Sequence, residues 1–366
     1  MERVTSPGPV VKARLEALLG RAMSTRVPLS GSIAMTHRCH LRCVHCYLGC
    51  ERQALPVGGE LDTAFWFSVV DQVADAGCLE LLITGGEPLL RPDFAQVYTR
   101  ARQRGILVTV FTNGTLIDGR IVQLFEDLPP DLVEVTLYGA TEETYERVTG
   151  VRGSYRRCID GVDALLARGV AVGLKSVIMS ENRGEMTAIR KLATDRGVSF
   201  RVDGALFPCR DGDTRPLEHR VTPADAVAVE MEDEGLRRKT AEHFRKTRGL
   251  PPEEQLFTCL AGVTGFHVDP TGLLLPCLMV CTHGFDLRQG TFREGWETVI
   301  PRFREQSLPP GYECHECELR FLCGSCPAQA GMETGNPHRK AEYMCGLGQA
   351  RLEAVRETLT SEPGTP

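Results

Sequence analysis

The chain has 366 residues, 42% hydrophobic and 25% charged, with a formal net charge of −6. That length supports about two domains with a full core, and no apolar run reaches the roughly 20 residues of a membrane-crossing helix, which excludes a mini-protein and a membrane-embedded protein. With 48 acidic against 42 basic residues, a chain built to bind nucleic-acid phosphates is excluded as well.

Residues 1–30 form an N-terminal extension with no charged stretch leading into an apolar core and a small-residue cleavage site, so a cytoplasmic location is expected. Thiols stay reduced there, and the 15 cysteines are an odd number, which points to metal or catalysis rather than disulfides. Four of them lie between Cys39 and Cys50 and eight between Cys259 and Cys345.

From residue 31 to 207 short β-rich runs alternate with amphipathic stretches. Strands are predicted at Ser32–Thr36, Leu79–Thr84, Leu107–Asn113, Leu132–Tyr138, Ala171–Met179 and Val198–Leu206. Helices are predicted at Asp62–Ala76, Asp93–Arg104, Leu116–Glu126, Tyr155–Arg168 and Arg183–Arg196. Six strands joined by helices predict an α/β fold, a parallel sheet curved into a partial (β/α)6 TIM-type barrel. Residues 208–255 read as a charged helical connector, and 256–350 as a small cysteine-rich domain with a β-hairpin around Asp269-Pro270-Thr271-Gly272. Residues 351–366 read as a C-terminal tail, frayed from Ser361.

Cys39, Cys43 and Cys46 follow the first strand at spacings that let three thiolates meet one face of a [4Fe–4S] cubane, leaving one iron open. A structural zinc site with Cys50, His40 or His45 as a further ligand is the alternative. The second strand ends in Gly85-Gly86-Glu87-Pro88, where two glycines allow close approach of a ligand to the backbone and Pro88 fixes the turn. Asn113 and Gly114 end the third strand, as a turn or as part of a site. Lys175 alternates with apolar neighbours, which points its ammonium into the barrel toward a cofactor carboxylate or a barrel acid unless it is a strand-end surface lysine. Asp203 is the candidate substrate contact, or else it ends its strand or pairs with Arg201. The C-terminal cysteines run Cys259, Cys277, Cys281, then Cys314-x2-Cys317-x5-Cys323-x2-Cys326, then Cys345; paired zinc ribbons are the alternative use of such Cys-x2-Cys elements.

The first cysteine group resembles the defining motif of the radical S-adenosylmethionine superfamily, in its place after the first barrel strand. The resemblance implies that Cys39, Cys43 and Cys46 ligate the radical-generating cluster, with the amine and carboxylate of S-adenosylmethionine on the fourth iron. Gly85, Gly86, Glu87 and Pro88 are similar to the segment that meets the methionine amino group, and Asn113 belongs to a Thr-Asn-Gly like the family's. Thr136 stands where many relatives turn a hydroxyl to the ribose. His45 replaces a common aromatic residue, and Tyr138 an Asp.

The C-terminal cysteines resemble the SPASM extension, which implies an outer cluster on Cys314, Cys317, Cys323 and Cys345 and an inner one on Cys259, Cys277 and Cys326. Two residues separate Cys323 from Cys326 where three are usual. Relatives place a further inner ligand where this chain has Gly265, so Cys281, His267 or His283 substitutes, or an iron stays open. Three [4Fe–4S] clusters and S-adenosylmethionine are the implied cofactors. A precursor peptide and an external one-electron donor such as a flavodoxin or ferredoxin are the implied partners. The implied activity is oxidative modification of a ribosomally made peptide by a 5′-deoxyadenosyl radical, forming a thioether, carbon–carbon or related bond. The alternative is oxidation of a small molecule or a single protein side chain. An iron–sulfur electron carrier needs neither Gly85-Gly86-Glu87-Pro88 nor a three-ligand cluster.

Overall fold

The computed structural model describes residues 8–49, 60–251, 254–280 and 282–361. Cys50 and Cys281 lie outside the described residues.

β1 (Ser30–Ala34), β2 (Glu80–Thr84), β3 (Leu107–Thr112), β4 (Leu132–Thr136), β5 (Val172–Val177) and β6 (Ser199–Asp203) lie side by side in chain order. Each neighbouring pair is parallel, and the sheet stays unclosed, as a partial barrel requires. Fully buried Ile33, Ile83, Val108, Val110, Val133 and Val135 hold its strands in the core. β1 stops before the expected Thr36, because the Thr36 carbonyl accepts from the Gly86 amide (2.7 Å) in the turn after β2.

The expected hairpin is present, but it continues the barrel sheet. β7 (Gly265–Val268) pairs parallel with the free edge of β1, and β8 (Leu273–Leu275) and β9 (Phe285–Asp286) follow antiparallel, giving nine strands. The hairpin thus covers an edge that would otherwise present unpaired backbone groups. Gly31 permits the join, since a Cβ there would lie 2.0 Å from the Phe266 ring.

An unexpected helix α1 (Pro9–Ser24) precedes the sheet and is largely exposed. The expected crossovers are α2 (Thr63–Asp75), α3 (Phe94–Gln103), α4 (Gly119–Asp127), α6 (Ser154–Leu166) and α7 (Met186–Asp195), with an additional α5 (Glu142–Thr149) after β4. Only eight residues long, α5 offers little periodicity, yet its ends carry signals: the Thr141 hydroxyl accepts from the Thr144 amide, and Gly150 closes it at φ 68°. The charged stretch after the barrel holds α8 (Pro223–Glu230) and α9 (Glu234–Thr247). The segment expected to be a tail from residue 351 is instead the second half of the helix Glu342–Ser361, docked on α8 and α9. Its Leu347 and Val355 are fully buried, and Arg351 binds Glu230 through two 2.9 Å hydrogen bonds. Among the described residues no helix is long and apolar enough to cross a membrane.

His267 sits on the β1–β7 seam, its Nδ1 2.8 Å from the Ser32 hydroxyl and its Nε2 without a hydrogen-bond partner. Burial pushes its pKa down to about 3. The folded protein therefore leaves this ring neutral over a range where the unfolded chain takes up a proton, so stability falls as pH drops from about 6.5 toward 3. His267→Phe is expected to reduce the acid-side slope of folding free energy against pH by about one proton, measured by denaturant titrations from neutrality downward. An unchanged slope would contradict the neutral ring.

Candidate active site

The cysteine loop after β1 is held by backbone on three sides. The Met35 amide donates to the Thr84 carbonyl (2.9 Å) and the Glu87 amide to the Arg38 carbonyl (3.0 Å), tying it to the turn after β2. The Arg42 and Val44 amides donate to Thr149 and Val148 at the end of α5 (2.8 and 3.0 Å), and the Arg210 amide to Tyr47 (2.9 Å). Beneath the loop Arg38 pairs with Glu60 (2.7 Å) and buried Arg91 with Asp93 (2.6 Å). Backbone hydrogen bonds thus tie the loop to the turn after β2, to the end of α5 and to Arg210.

Gly85 and Gly86 make this close approach possible. A Cβ on Gly85 would lie 2.4 Å from the Thr36 carbonyl oxygen and one on Gly86 2.4 Å from that of Arg38. Gly85 also has φ +150°, a conformation that suits glycine. The glycines therefore admit the cysteine loop to the strand ends, besides any ligand.

A cavity of about 330 Å³ opens at the C-terminal ends of the strands, where barrel chemistry sits. Cys39, Cys43, Cys46, Gly85, Gly86, Asn113, Thr136, Lys175 and Asp203 all line it. Glu87 and Pro88 do not. The Glu87 carboxylate is fully buried and accepts from the Thr112 hydroxyl (2.8 Å), the Asn113 amide (2.8 Å) and the Leu89 amide (3.1 Å). Burial pushes its pKa up to about 7 against the pull of those hydrogen bonds. This geometry makes Glu87 a prop for the Thr112–Asn113 turn.

The other walls are mostly apolar, among them Leu48, Phe111, Leu206, Phe207, Leu278 and Met279. The two residues after Cys277 thus reach the barrel cavity, a placement that sequence reading missed because it depends on the hairpin joining β1. Tyr138 closes one side, with His45 edge-on at 4.6 Å. Burial first, and then the thiols of Cys43, Cys46 and Cys39, push the Tyr138 pKa up. Arg201 does not pair with Asp203; its guanidinium donates to Glu134 (2.8 Å), while Asp203 accepts from the Ala205 amide (2.9 Å) and is driven toward its neutral form by burial.

The C-terminal thiols fall into two neighbourhoods. Burial and then Cys326 and Cys259 raise the Cys277 pKa. Burial, then Tyr312 (which lowers it) and Cys317 act on Cys314; burial and then Cys314 and Cys323 raise Cys345, with Cys314 and Cys317 also raising Cys323. Tyr312 lies between the sets, in a cavity of about 110 Å³ with Cys259, Cys314 and Cys326.

Three soft thiolates lining a mostly apolar cavity suit a [4Fe–4S] cluster with an open corner. Residues 33–193 match the model of the radical SAM superfamily. The chain is 30% identical over 347 residues, 87% of this chain and 97% of the relative, to an AdoMet-dependent heme synthase of Methanosarcina barkeri. It is 28% identical over 346 residues, 87% of this chain and 91% of the relative, to a PqqA peptide cyclase of Gluconobacter oxydans. Streptococcus suis SuiB, solved with its precursor peptide SuiA, shares the fold at TM-score 0.70 and 17% identity, with 93% of this chain and 82% of SuiB covered. By its cysteine loop, its partial barrel and its full-length relatives, the chain belongs to the radical S-adenosylmethionine superfamily, an enzyme family that uses a [4Fe–4S] cluster and S-adenosylmethionine.

Proposed function

We propose that the chain oxidatively modifies a ribosomally made peptide, forming a thioether, carbon–carbon or related bond. The observation that carries this reading is the match to a PqqA peptide cyclase over 87% of this chain. The heme synthase match favours a second reading, in which the substrate is a small molecule.

Cys39, Cys43 and Cys46 hold the first cluster, Cys314, Cys317, Cys323 and Cys345 an outer one, and Cys259, Cys277 and Cys326 an inner one. When bound, the first cluster and S-adenosylmethionine supply a 5′-deoxyadenosyl radical that takes a hydrogen atom from substrate, with the other clusters available for electron transfer. Asn113 and the Gly85-Gly86 backbone flank the cofactor's methionine end, and Thr136 its ribose. The apolar walls exclude water, and Asp203 is the wall group positioned to hold a proton. A flavodoxin or ferredoxin serves as electron donor, in the cytoplasm.

The test is an anaerobic incubation of the reconstituted chain with S-adenosylmethionine, reductant and, separately, the peptide encoded beside its gene and an iron porphyrin. Loss of two hydrogen atoms from the peptide, matched by 5′-deoxyadenosine, is expected. Turnover of the porphyrin alone would overturn the peptide reading.

A further inference from the structure

The Asn113 side chain is held at one end and presented at the other. Its backbone amide donates to Glu87 (2.8 Å), and Gly114, at φ 77°, turns the chain so that Thr115 comes back over it. The Asn113 Oδ1 then accepts twice from Thr115, from the backbone amide at 3.0 Å and from the hydroxyl at 2.7 Å. A hydroxyl carries one proton. Having given it to Oδ1, the Thr115 oxygen accepts from His40, whose Nε2 lies 2.6 Å away, so the imidazole bears a proton on Nε2. His40, Thr115 and Asn113 thus form one directed chain that leaves the cysteine loop and returns to it.

That direction decides which end of the amide faces the first thiol. Were the amide turned over, its NH2 would meet the Thr115 N–H donor against donor, and both residues are buried. The Nδ2 end therefore points to Cys39, 3.8 Å from its sulfur, a span that suits an N–H donor and an acceptor as large as sulfur. Asn113 lines the cavity, whereas His40 and Thr115 do not. These two act through Asn113.

A thiolate that ligates a [4Fe–4S] cluster shares the charge of the metal centre, and reduction adds an electron to it. Hydrogen bonds to the ligating sulfurs favour the reduced state and raise its potential. In a mostly apolar cavity one fixed N–H dipole weighs more than it does in water. An amide able to rotate would lose part of that effect.

We propose that His40 and Thr115 are positioning residues that lock the Asn113 amide with its N–H toward Cys39, and that this N–H···S contact raises the reduction potential of the first cluster. The inference rests on the assignment of Cys39 as a ligand of that cluster. Because the contact is made to the ligand itself, it acts whether or not S-adenosylmethionine is bound.

The test is a potentiometric titration of the reconstituted full chain without S-adenosylmethionine. It follows, by paramagnetic resonance, the reduced-cluster signal that later addition of S-adenosylmethionine changes. Asn113→Leu, similar in size and without a donor, is expected to make reduction about tenfold less favourable, a fall of about 59 mV for one electron. Thr115→Val removes a hydroxyl that is not on the cavity wall, and a fall of about threefold, or about 28 mV, is expected. Thr115→Ser keeps the hydroxyl and should hold the wild-type potential, while His40→Phe should move it in the direction of Thr115→Val. An unchanged potential in Asn113→Leu with full iron content overturns the proposal, and if that variant loses iron the Thr115 pair decides alone. Equal falls in Thr115→Ser and Thr115→Val overturn it too, since Thr115 would then be a packing residue. Weaker S-adenosylmethionine binding in Asn113→Leu at unchanged potential gives the amide to the cofactor instead. A wild type with no signal sensitive to S-adenosylmethionine would sink the cluster assignment and this inference with it, whereas a sensitive signal that keeps its potential in Asn113→Leu sinks this inference alone.

Discussion

Simultaneous replacement of Cys39, Cys43 and Cys46 by alanine is expected to abolish 5′-deoxyadenosine formation and to lower reconstituted iron from about twelve to about eight per chain, since the three proposed cubanes would carry 3 × 4 irons. The fold is expected to survive this change, because backbone hydrogen bonds tie the loop to Thr84, Glu87, Thr149 and Val148. Replacing Cys259, Cys277 and Cys326 instead removes a similar amount of iron and leaves cleavage of S-adenosylmethionine without substrate measurable, because that chemistry lies at the other loop. Iron and sulfide analysis beside a chromatographic assay for 5′-deoxyadenosine separates the two variants. Continued 5′-deoxyadenosine formation in the first variant contradicts the ligand assignment, and four irons per chain with bound zinc in the wild type contradicts the three-cluster count.

What could be read from the residues depended on how local each signal was. The six barrel strands announce themselves by short β-branched runs between amphipathic stretches, and the cysteine loop and Gly85-Gly86 by spacing within a few residues. The join of β7 to β1 rests on a pairing between Ser32 and His267, far apart in the chain, which no local pattern encodes. Missing that join meant missing Leu278 and Met279 on the cavity wall. The helix α5 was lost for a different reason: eight residues give barely two turns, and only its caps mark it. Lys175 was legible as an inward-pointing cation, but the identity of its partner, Glu134, required knowing that β4 and β5 are neighbours. Arg201 and Asp203, two residues apart on one strand, looked like a pair by proximity in sequence, while the neighbouring strand offered Arg201 a better acid.

Glu87 illustrates the same limit, and its substitution has the second large effect. Three donors converge on its carboxylate: the Thr112 hydroxyl and the Asn113 amide from the turn after β3, and the Leu89 amide. That turn bears on the site directly, since Thr112 and Asn113 line the cavity and the Asn113 side-chain nitrogen lies 3.8 Å from the Cys39 sulfur. An amide in place of the carboxylate offers one acceptor oxygen and one donor nitrogen. If the oxygen keeps the Asn113 amide and the Thr112 hydroxyl rotates to accept, the Leu89 amide is left facing a second donor, a loss of about 1–3 kcal/mol for a buried unsatisfied group. Glu87→Gln is therefore expected to lower folding stability by that amount and to weaken S-adenosylmethionine binding together with it, because both follow from a displaced Thr112–Asn113 turn. Denaturant midpoints and equilibrium dialysis on the same reconstituted samples check the coupling. Weakened cofactor binding at unchanged stability would return Glu87 to direct contact with the methionine ammonium, and no change in either would remove it from the site.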